Sequence, residues 1–252
     1  MAFHHYARYY DVFYQRKNYQ KECDFLEKLF QKHCVTKPET ILDLGCGTAN
    51  HMIPLINRGY RVAGVDRSRE MLLIAKQKLD RLGLQAQLFK NNLESFQFNG
   101  RFDAVIGMFS VIDYIVQMKK IVPLFKNIVS HMSKNAIVLF DFWNAEAVEG
   151  YFTPAKKRIF SFEGKTIERR SMTKIYPEKR MCQVNYICTL RQNGRPLKKF
   201  QEKHWLRYFS IEEMKILLQE AGLEVDGIYP FLNPEGNIRR NTWDVTVVAK
   251  LA

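Results

Sequence analysis

A glycine turn flanked by two acidic residues is the part of this sequence best suited to chemistry. Residues 41–50 read ILDLGCGTAN, so an apolar run leads into Gly45 and Gly47 and then into a helix. Asp43 stands two residues before the first glycine, and Asp66 ends the next apolar run, 19 residues after Gly47. This order of strand, glycine turn and helix is typical of nucleotide-binding βα units, in which the loop backbone lies against the ligand.

The two acidic residues indicate which kind of nucleotide the turn would bind. A dinucleotide fingerprint requires a third small residue where this chain has Asn50, and it offers the pyrophosphate only backbone N–H groups and a positive helix end. A carboxylate at Asp43 would instead repel a pyrophosphate and attract a cation. Asp66 is placed to accept hydrogen bonds from both hydroxyls of a ribose. We therefore predict a site for an adenosine-containing ligand that carries no phosphates.

This pattern resembles motif I of the class I S-adenosylmethionine-dependent methyltransferases, and the resemblance covers almost the whole chain. In that family the glycine loop wraps the methionine part of the cofactor, the acid of strand two binds ribose, and a residue after strand three meets the adenine. The resemblance implies S-adenosylmethionine as cofactor. It places Asn92-Leu93 at the adenine, where the family usually has aspartate. The predicted cofactor-binding residues are Tyr10, Tyr19, Asp43, Gly45, Cys46, Gly47, Asp66, Arg67, Met71, Asn92, Leu93 and Met108.

Within that family, the sequence is most similar to the N,N-dimethyltransferases that act on nucleotide-linked amino sugars. The similarity rests on the segment from Tyr10-Asp11 through Tyr19, on Met108-Phe109-Ser110 after the fourth strand, and on an antiparallel sheet before the last helix. Three of these positions are also compatible with a purely structural role. Tyr10 and Tyr19 fit the packing of an amphipathic helix equally well, and Met108 fits a place in the core.

Tyr114 and His204 are the candidate catalytic residues. An amine acceptor must lose a proton before methylation, because an ammonium ion has no free lone pair, and these side chains can take or relay that proton. We expect Asp113 to stand behind them. The related sugar enzymes often have a histidine where this chain has Tyr114. His204 and Arg207 alternate along a predicted strand, so they should point to opposite faces. In-line methyl transfer requires no metal, and we predict no metal site.

Alternating apolar runs and helical patterns must position these residues. Such alternation is the signature of βαβ units and a parallel sheet. Ser68 is expected to cap the helix after strand two, and Ser210 with Glu213 forms a capping box that begins the last helix. The predicted strands of the core span residues 41–44, 61–66, 85–90, 102–109, 136–142, 224–231 and 243–250.

Between the fifth strand and the last helix, the pattern changes to strands separated by turns. Asn193-Gly194 is a strong hairpin signal, because both residues tolerate the positive φ angles of a tight turn. We therefore predict an α/β, Rossmann-like methyltransferase fold: a seven-stranded mixed sheet with helices on both faces and an inserted antiparallel β-sheet. Residues 1–154 and 209–252 would form the cofactor-binding core, and residues 155–208 the insert, which contributes to the acceptor site.

Most of the positive charge lies in this predicted insert. The chain has a net charge of +13, and residues 156–207 contain fifteen basic against four acidic residues, about +11. Such a segment attracts anionic partners, although it can also be a solvated face. The candidates for an anion contact are Arg169, Arg170, Lys174 and Arg191.

The charge and the resemblance together favour a small anionic acceptor, such as the amino group of a nucleotide-linked sugar. RNA methylation is the alternative that the basic segment favours, but the sequence has no recognisable RNA-binding module. A cofactor-binding partner subunit without activity is the other alternative. Nucleic acid is therefore a possible but less favoured partner. Oligomeric state is left as monomer or homodimer.

Composition bounds these predictions. Hydrophobic residues make up 46% and charged residues 26% of the 252 residues, as in globular proteins. No apolar run reaches the roughly 18 residues of a membrane-spanning helix, and the first residues lack the plan of a signal peptide. We expect a cytoplasmic protein without membrane contact, whose five scattered cysteines are reduced.

Overall fold

The computed structural model describes residues 6–252. In chain order the strands are β1 (Thr40–Leu44), β2 (Arg61–Asp66), β3 (Gln87–Lys90), β4 (Phe102–Gly107), β5 (Met132–Trp143), β6 (Ala155–Phe162), β7 (Lys165–Tyr176), β8 (Met181–Gln192), β9 (Arg195–Arg207), β10 (Leu223–Pro230) and β11 (Asp244–Leu251). The α-helices are α1 (Tyr10–Phe13), α2 (Tyr19–His33), α3 (Met52–Asn57), α4 (Arg69–Arg81), α5 (Ile121–Ser130), α6 (Ala145–Gly150) and α7 (Ile211–Glu220). Short 3-10 turns include Ile112–Tyr114.

Seven strands form the central sheet in the order β10-β11-β5-β4-β1-β2-β3. The pairs from β5 to β3 are parallel, whereas β11 pairs antiparallel with both β5 and β10. The predicted fold class is therefore confirmed. The chain runs outward from β1 in one direction and from β4 in the other, so a crevice opens at their carboxyl ends, where such sheets bind ligands.

Helices cover both faces of this sheet because their apolar side chains recur at helical spacing. On one face, α5 and α7 contribute Leu124, Phe125 and Leu218 to the core. On the other face, α2, α3 and α4 contribute Leu26, Leu55 and other buried side chains. Among the helices of residues 6–252, none has both the length and the apolar character needed to cross a bilayer.

Two predicted strands differ from the observed ones near the site. The fourth strand ends at Gly107 rather than at residue 109, because Phe109 and Ser110 adopt positive φ angles of 68° and 56° and so leave the extended conformation. The fifth begins at Met132 rather than at residue 136. Its first residue pairs with Phe102 across a register shift, which apolar patterning alone does not reveal.

The remaining four strands form a separate antiparallel sheet in the order β6-β7-β8-β9. One face of it packs on the segment that begins at residue 6, where Tyr6, Tyr9 and Phe13 meet Phe160 and Phe200. The chain leaves the central sheet at the end of β5 and returns to the same place after β9. There the Ala145 N–H donates to the Phe209 carbonyl at 2.8 Å, and the Phe209 N–H donates to the Trp143 carbonyl at 3.0 Å.

Candidate functional site

A cavity of about 560 Å³ lies at the carboxyl ends of β1, β2 and β4, enclosed by the segment around Tyr10 and by the four-stranded sheet. Its volume is in the range of pockets that hold a cofactor or a drug-sized ligand. Eleven of the fourteen predicted site residues line it: Tyr10, Gly45, Gly47, Asp66, Arg67, Met71, Asn92, Leu93, Met108, Tyr114 and His204.

The glycine loop adopts a conformation that requires glycine. Gly45 and Gly47 have φ angles of +64° and +55°. A Cβ atom at Gly45 would lie 2.1 Å from a side-chain carbon of Val111, whereas one at Gly47 would meet only the Gly45 carbonyl, at 3.8 Å. The backbone at Gly45 is therefore in close contact with the loop that follows β4, and the glycine loop is held from that side.

Asp66 connects the glycine loop to the start of α4. Its Oδ2 accepts the Gly47 N–H at 3.0 Å, and its Oδ1 accepts the Ser68 N–H at 2.7 Å. Ser68 caps α4 as predicted, since its side chain accepts the Met71 N–H. Burial raises the pKa of Asp66. Each carboxylate oxygen has a second lone pair, so both can also accept a hydrogen bond from a ribose hydroxyl.

Asp43 does not line the cavity, in contrast to the expectation that it would contact the ligand directly. It is only 2% exposed, and its Oδ2 has no hydrogen-bond partner within the described part of the chain. Burial and the neighbouring Asp66 raise the pKa of Asp43. A cation held at the glycine loop would stabilise this carboxylate. The orphaned oxygen therefore fits a cofactor with a cationic methionyl group.

Two other predicted cofactor residues lie outside the cavity wall. The Cys46 side chain points back into the core, where a Cβ atom on Gly64 of β2 would lie 2.7 Å from its sulfur. Tyr19 starts α2 and packs its ring edge-on against His51, with 5.1 Å between ring centroids. Tyr19 therefore has the packing role that was the alternative to cofactor binding. Cys46 can offer a ligand only its backbone.

The predicted adenine end of the cavity combines apolar and polar surfaces. Met71 and Leu93 are buried, while Asn92 is exposed to the cavity. The Asn92 N–H donates to the Asn91 side-chain oxygen at 2.9 Å. A neighbouring ion pair, Lys120 to Glu94 at 2.6 Å, was not expected from the sequence and borders the same end.

The two candidate catalytic residues contact each other. The Tyr114 hydroxyl oxygen lies 2.9 Å from Nδ1 of His204, although the residues are 90 positions apart. Burial raises the pKa of Tyr114 well above its ordinary value. Burial, Arg67 and Arg169 lower the pKa of His204 to about 4. Near neutral pH, the protonated tyrosine therefore donates to the neutral imidazole.

We expected Asp113 to stand behind this pair because it is next to Tyr114 in the sequence, but the structure places it elsewhere. Its Oδ2 accepts the Trp143 N–H at 3.0 Å, so its hydrogen bond goes to the end of β5. Burial raises the pKa of Asp113 well above the usual range of aspartate. His204 and Arg207 point to opposite faces of β9, and Arg207 pairs with Glu213 at 3.3 Å instead of lining the cavity.

The inserted sheet contributes to the cavity Lys156, Arg158 and Ser171, which sequence patterning did not single out, beside Arg169, which was a predicted anion contact. Lys156 pairs in register with Ser171, and Arg158 with Arg169, so all four side chains share the face that borders the cavity. Arg169 is buried, and its guanidinium donates to the Tyr6 hydroxyl at 2.5 Å. Lys156 and Arg158 have no ion-pair partner among residues 6–252.

Of the four basic residues proposed for an anion contact, only Arg169 lines the cavity. Arg170 lies on the opposite face of β7, where its Nε donates to Glu168 at 2.5 Å. Alternation within each strand decides which side chains face inward, and the strand register decides which of them meet. The charge count located the basic segment, but it could not show which side chains face inward or which of them meet across the sheet.

Comparison with known proteins shows what this chain is similar to. The sequence profile of a family described as "Methyltransferase domain" matches residues 41–135. A dTDP-3-amino-3,6-dideoxy-alpha-D-glucopyranose N,N-dimethyltransferase of Streptomyces fradiae is 27% identical over 225 residues, covering 87% of this chain and 84% of the relative. A dTDP-3-amino-3,4,6-trideoxy-alpha-D-glucopyranose N,N-dimethyltransferase of Streptomyces venezuelae is 23% identical over 223 residues, covering 87% of this chain and 90% of the relative.

A solved structure shares the fold over nearly the whole chain. It is an S-adenosylmethionine-dependent methyltransferase from Clostridium acetobutylicum, with a TM-score of 0.82, 20% sequence identity and coverage of 98% of both chains. The range matched by the family profile contains the glycine loop, Asp66, Asn92 and Tyr114, and it ends before the inserted sheet.

Proposed function

We propose that this chain, which is an S-adenosylmethionine-dependent methyltransferase as its sequence resemblance implies, methylates the amino group of a nucleotide-linked sugar. The observation that carries the proposal is the cationic wall that the inserted sheet presents to the cavity. There Lys156, Arg158 and Arg169 face the cavity from neighbouring strand positions. Two relatives are named as N,N-dimethyltransferases of dTDP-linked amino sugars, which have this kind of anionic acceptor.

The shape of the site beyond Arg158 also supports an extended acceptor. A second cleft, of about 680 Å³, shares Tyr14, Phe109 and Arg158 with the main cavity and adds Arg16 and Phe160. Arginine recognises phosphate oxygens through paired N–H donors, and aromatic rings stack on planar ligands. A diphosphate near Arg158 would leave the sugar in the main cavity and the nucleoside in the cleft.

The catalytic roles follow from the hydrogen bond between Tyr114 and His204. When bound, S-adenosylmethionine supplies a methyl group on a positively charged sulfur. Because the Tyr114 hydroxyl donates its proton toward His204 Nδ1, its oxygen retains lone pairs that can accept an N–H of the acceptor amine. Such a contact orients the nitrogen lone pair. Positioning of this kind can contribute on the order of 7 to 11 kcal/mol in favourable cases.

His204 is assigned to orient Tyr114 rather than to store the proton. Its pKa of about 4 makes the imidazole a weak proton acceptor near neutral pH. The amine would therefore react in its neutral form, having lost its proton to solvent before it binds. Tyr114→Phe should lower kcat more than it changes the cofactor Kd, and His204→Gln should have a smaller effect in the same direction.

A screen with isotopically labelled S-adenosylmethionine tests the acceptor. The acceptors to be compared are dTDP-linked amino sugars, the same amino sugars without nucleotide, and RNA. We expect label in the nucleotide-linked sugars. Label in RNA alone would replace the proposal with RNA methylation, and label in free sugars at equal kcat/KM would remove the diphosphate from it.

Variants of the cationic wall provide the matching structural test. Arg158→Ala and Lys156→Ala should raise the acceptor KM while the cofactor Kd stays nearly constant. Lys174→Ala is the matched control, because Lys174 is exposed on the same sheet but does not line the cavity. Equal kinetics in all three variants would show that the wall does not contact the acceptor.

A further inference from the structure

We infer that Asp141 is a positioning residue for methyl transfer, because it holds the loop of residues 108–111 that forms one wall of the cavity. Asp141 lies on β5 and is almost completely buried. Its Oδ1 accepts the Phe109 N–H at 2.6 Å, and its Oδ2 accepts the Ser110 N–H at 2.9 Å. The Ser110 hydroxyl donates to the same Oδ2 at 3.2 Å.

This loop needs an external support, because its backbone conformation is unfavourable. Phe109 and Ser110 have consecutive positive φ angles, which residues other than glycine rarely adopt. Such residues persist where the surrounding structure determines their conformation. The Asp141 carboxylate supplies that constraint, since its two oxygens accept the two consecutive N–H groups at the strained positions.

The supported loop touches both halves of the active site. Met108 and Val111 line the cavity, and Val111 is the residue packed against the backbone of Gly45. The Phe109 ring meets the Tyr14 ring edge-on, with 4.9 Å between centroids. The Asp141 carboxylate therefore fixes the position of two side chains. One is Val111, which packs on the glycine loop, and the other is Phe109, which borders the second cleft.

The ionisation of Asp141 decides whether all of these hydrogen bonds can form. A protonated carboxyl carries a hydroxyl that donates, so it offers fewer acceptor positions to the loop. Burial and the charge of Asp244 raise the pKa of Asp141 to about 7, against the opposing effect of Lys17. The groups that act on it are Asp244 on β11, Lys17 before α2 and Asp113 in the 3-10 turn.

Calorimetric binding of S-adenosylhomocysteine between pH 5.5 and 8.5 tests the inference without an acceptor. In the unaltered protein, affinity should rise as the pH passes about 7, the pKa of Asp141. Asp141→Asn keeps the shape but can accept at only one atom. It should bind about tenfold more weakly at pH 8, the effect of losing roughly one hydrogen bond, and its affinity should no longer depend on pH in this range.

Asp244→Asn is the matched control. It removes the neighbouring negative charge but leaves the loop hydrogen bonds in place, so it should move the midpoint of the profile to lower pH. If Asp141→Asn fails to fold, the shift in Asp244→Asn and a weakened affinity in Ser110→Ala support the inference. Parallel pH profiles for the unaltered protein and Asp141→Asn, or an unshifted midpoint in Asp244→Asn, would overturn it.

Discussion

At the residue scale, the two glycines of the cofactor loop differ in what an added methyl group would meet. Gly45→Ala places a Cβ 2.1 Å from Val111, so either the glycine loop or the loop after β4 must move. Gly47→Ala meets nothing closer than 3.8 Å and carries only the strain of a positive φ, on the order of 1 kcal/mol. We expect Gly45→Ala to lose measurable cofactor binding and Gly47→Ala to retain it in weakened form, as calorimetry would show.

The double variant Gly45→Ala/Val111→Ala isolates the contact from the backbone strain. Removal of the Val111 side-chain methyl groups should restore part of the cofactor affinity that Gly45→Ala loses. If the double variant binds no better than Gly45→Ala, strain at the positive φ of Gly45 accounts for the whole loss, and the packing of Val111 on the glycine loop is not important for binding.

The lowered pKa of His204 predicts how the free energy of unfolding changes at acidic pH. Its pKa in the folded protein, about 4, lies below the value of about 6.5 expected in the unfolded chain. The unfolded chain therefore binds more protons between these values, and the free energy of unfolding should fall as the pH decreases from about 6.5 toward 4. The full effect is roughly 3 kcal/mol.

Denaturant unfolding of His204→Gln across this pH range checks that prediction. The glutamine variant should lose the part of the acid slope that histidine contributes, so its stability relative to the unaltered protein should improve on acidification. Buried carboxyls such as Asp141 act with the opposite sign, because their raised pKa values favour the folded state at low pH. The difference between His204→Gln and the unaltered protein isolates the histidine contribution, because the buried carboxyls are the same in both. Identical slopes would argue against a neutral His204.

At the element scale, Asp11 fixes α1 over the cavity. Its Oδ1 accepts the Thr48 hydroxyl at 2.7 Å and the Asn50 side-chain amide at 2.9 Å, both just after the glycine loop. Lys78 of α4 reaches its Oδ2 at 3.2 Å. Tyr10 is next to Asp11 and lines the cavity, so the contacts of Asp11 also fix the position of Tyr10 in the cavity wall.

Asp11→Ala should release this segment without unfolding the core. We expect faster amide hydrogen exchange in residues 6–16 and cofactor binding weakened by roughly 1 to 2 kcal/mol, the usual range for one or two lost hydrogen bonds. Asp24→Ala is a suitable control, since Asp24 pairs with Arg58 on the surface of α2, away from the cavity. Unchanged exchange in residues 6–16 would show that aromatic packing alone holds α1.

The elements themselves were largely predictable because their signals are local. The spacing of apolar residues located the seven strands of the core, and Ser68 and Ser210 were correctly identified as helix caps. The positive φ angles of Phe109 and Ser110 were not predictable, because neither residue is glycine and their support comes from Asp141, more than thirty positions away.

The same distinction applies to the site. Residues on the glycine loop and at strand ends follow from their position in a βα unit, so most of the residues predicted to bind the cofactor line the cavity. Arg158 and Asp141 reach the site through strand register and through a loop that bends back onto β5. A single sequence does not encode those long-range pairings in any local pattern, although the basic character of the insert did indicate the region that contains Arg158.

At the scale of the whole molecule, the excess of positive charge could serve a small anion or a polyanion, and the salt dependence of binding distinguishes the two. A nucleotide-linked sugar carries two phosphates, so its binding should depend weakly on salt, with a log–log slope of magnitude below about 2. RNA binding releases counterions at each phosphate contact, at about −0.7 per phosphate for single strands. Titrations of both ligands from low to physiological salt should show a shallow slope for the true acceptor. A steep slope together with methyl incorporation into RNA would favour the alternative.

The junction of the inserted sheet with the core has a consequence for how the proposed acceptor site can be altered. The chain departs after Trp143 and comes back at Phe209, and hydrogen bonds join these two points directly. Because the two ends of this segment already touch, we expect it to tolerate changes in length without displacement of β5 or α7. We therefore expect substitutions within residues 155–208 to change the preferred acceptor more than they change cofactor binding, since the glycine loop and Asp66 lie in the central sheet.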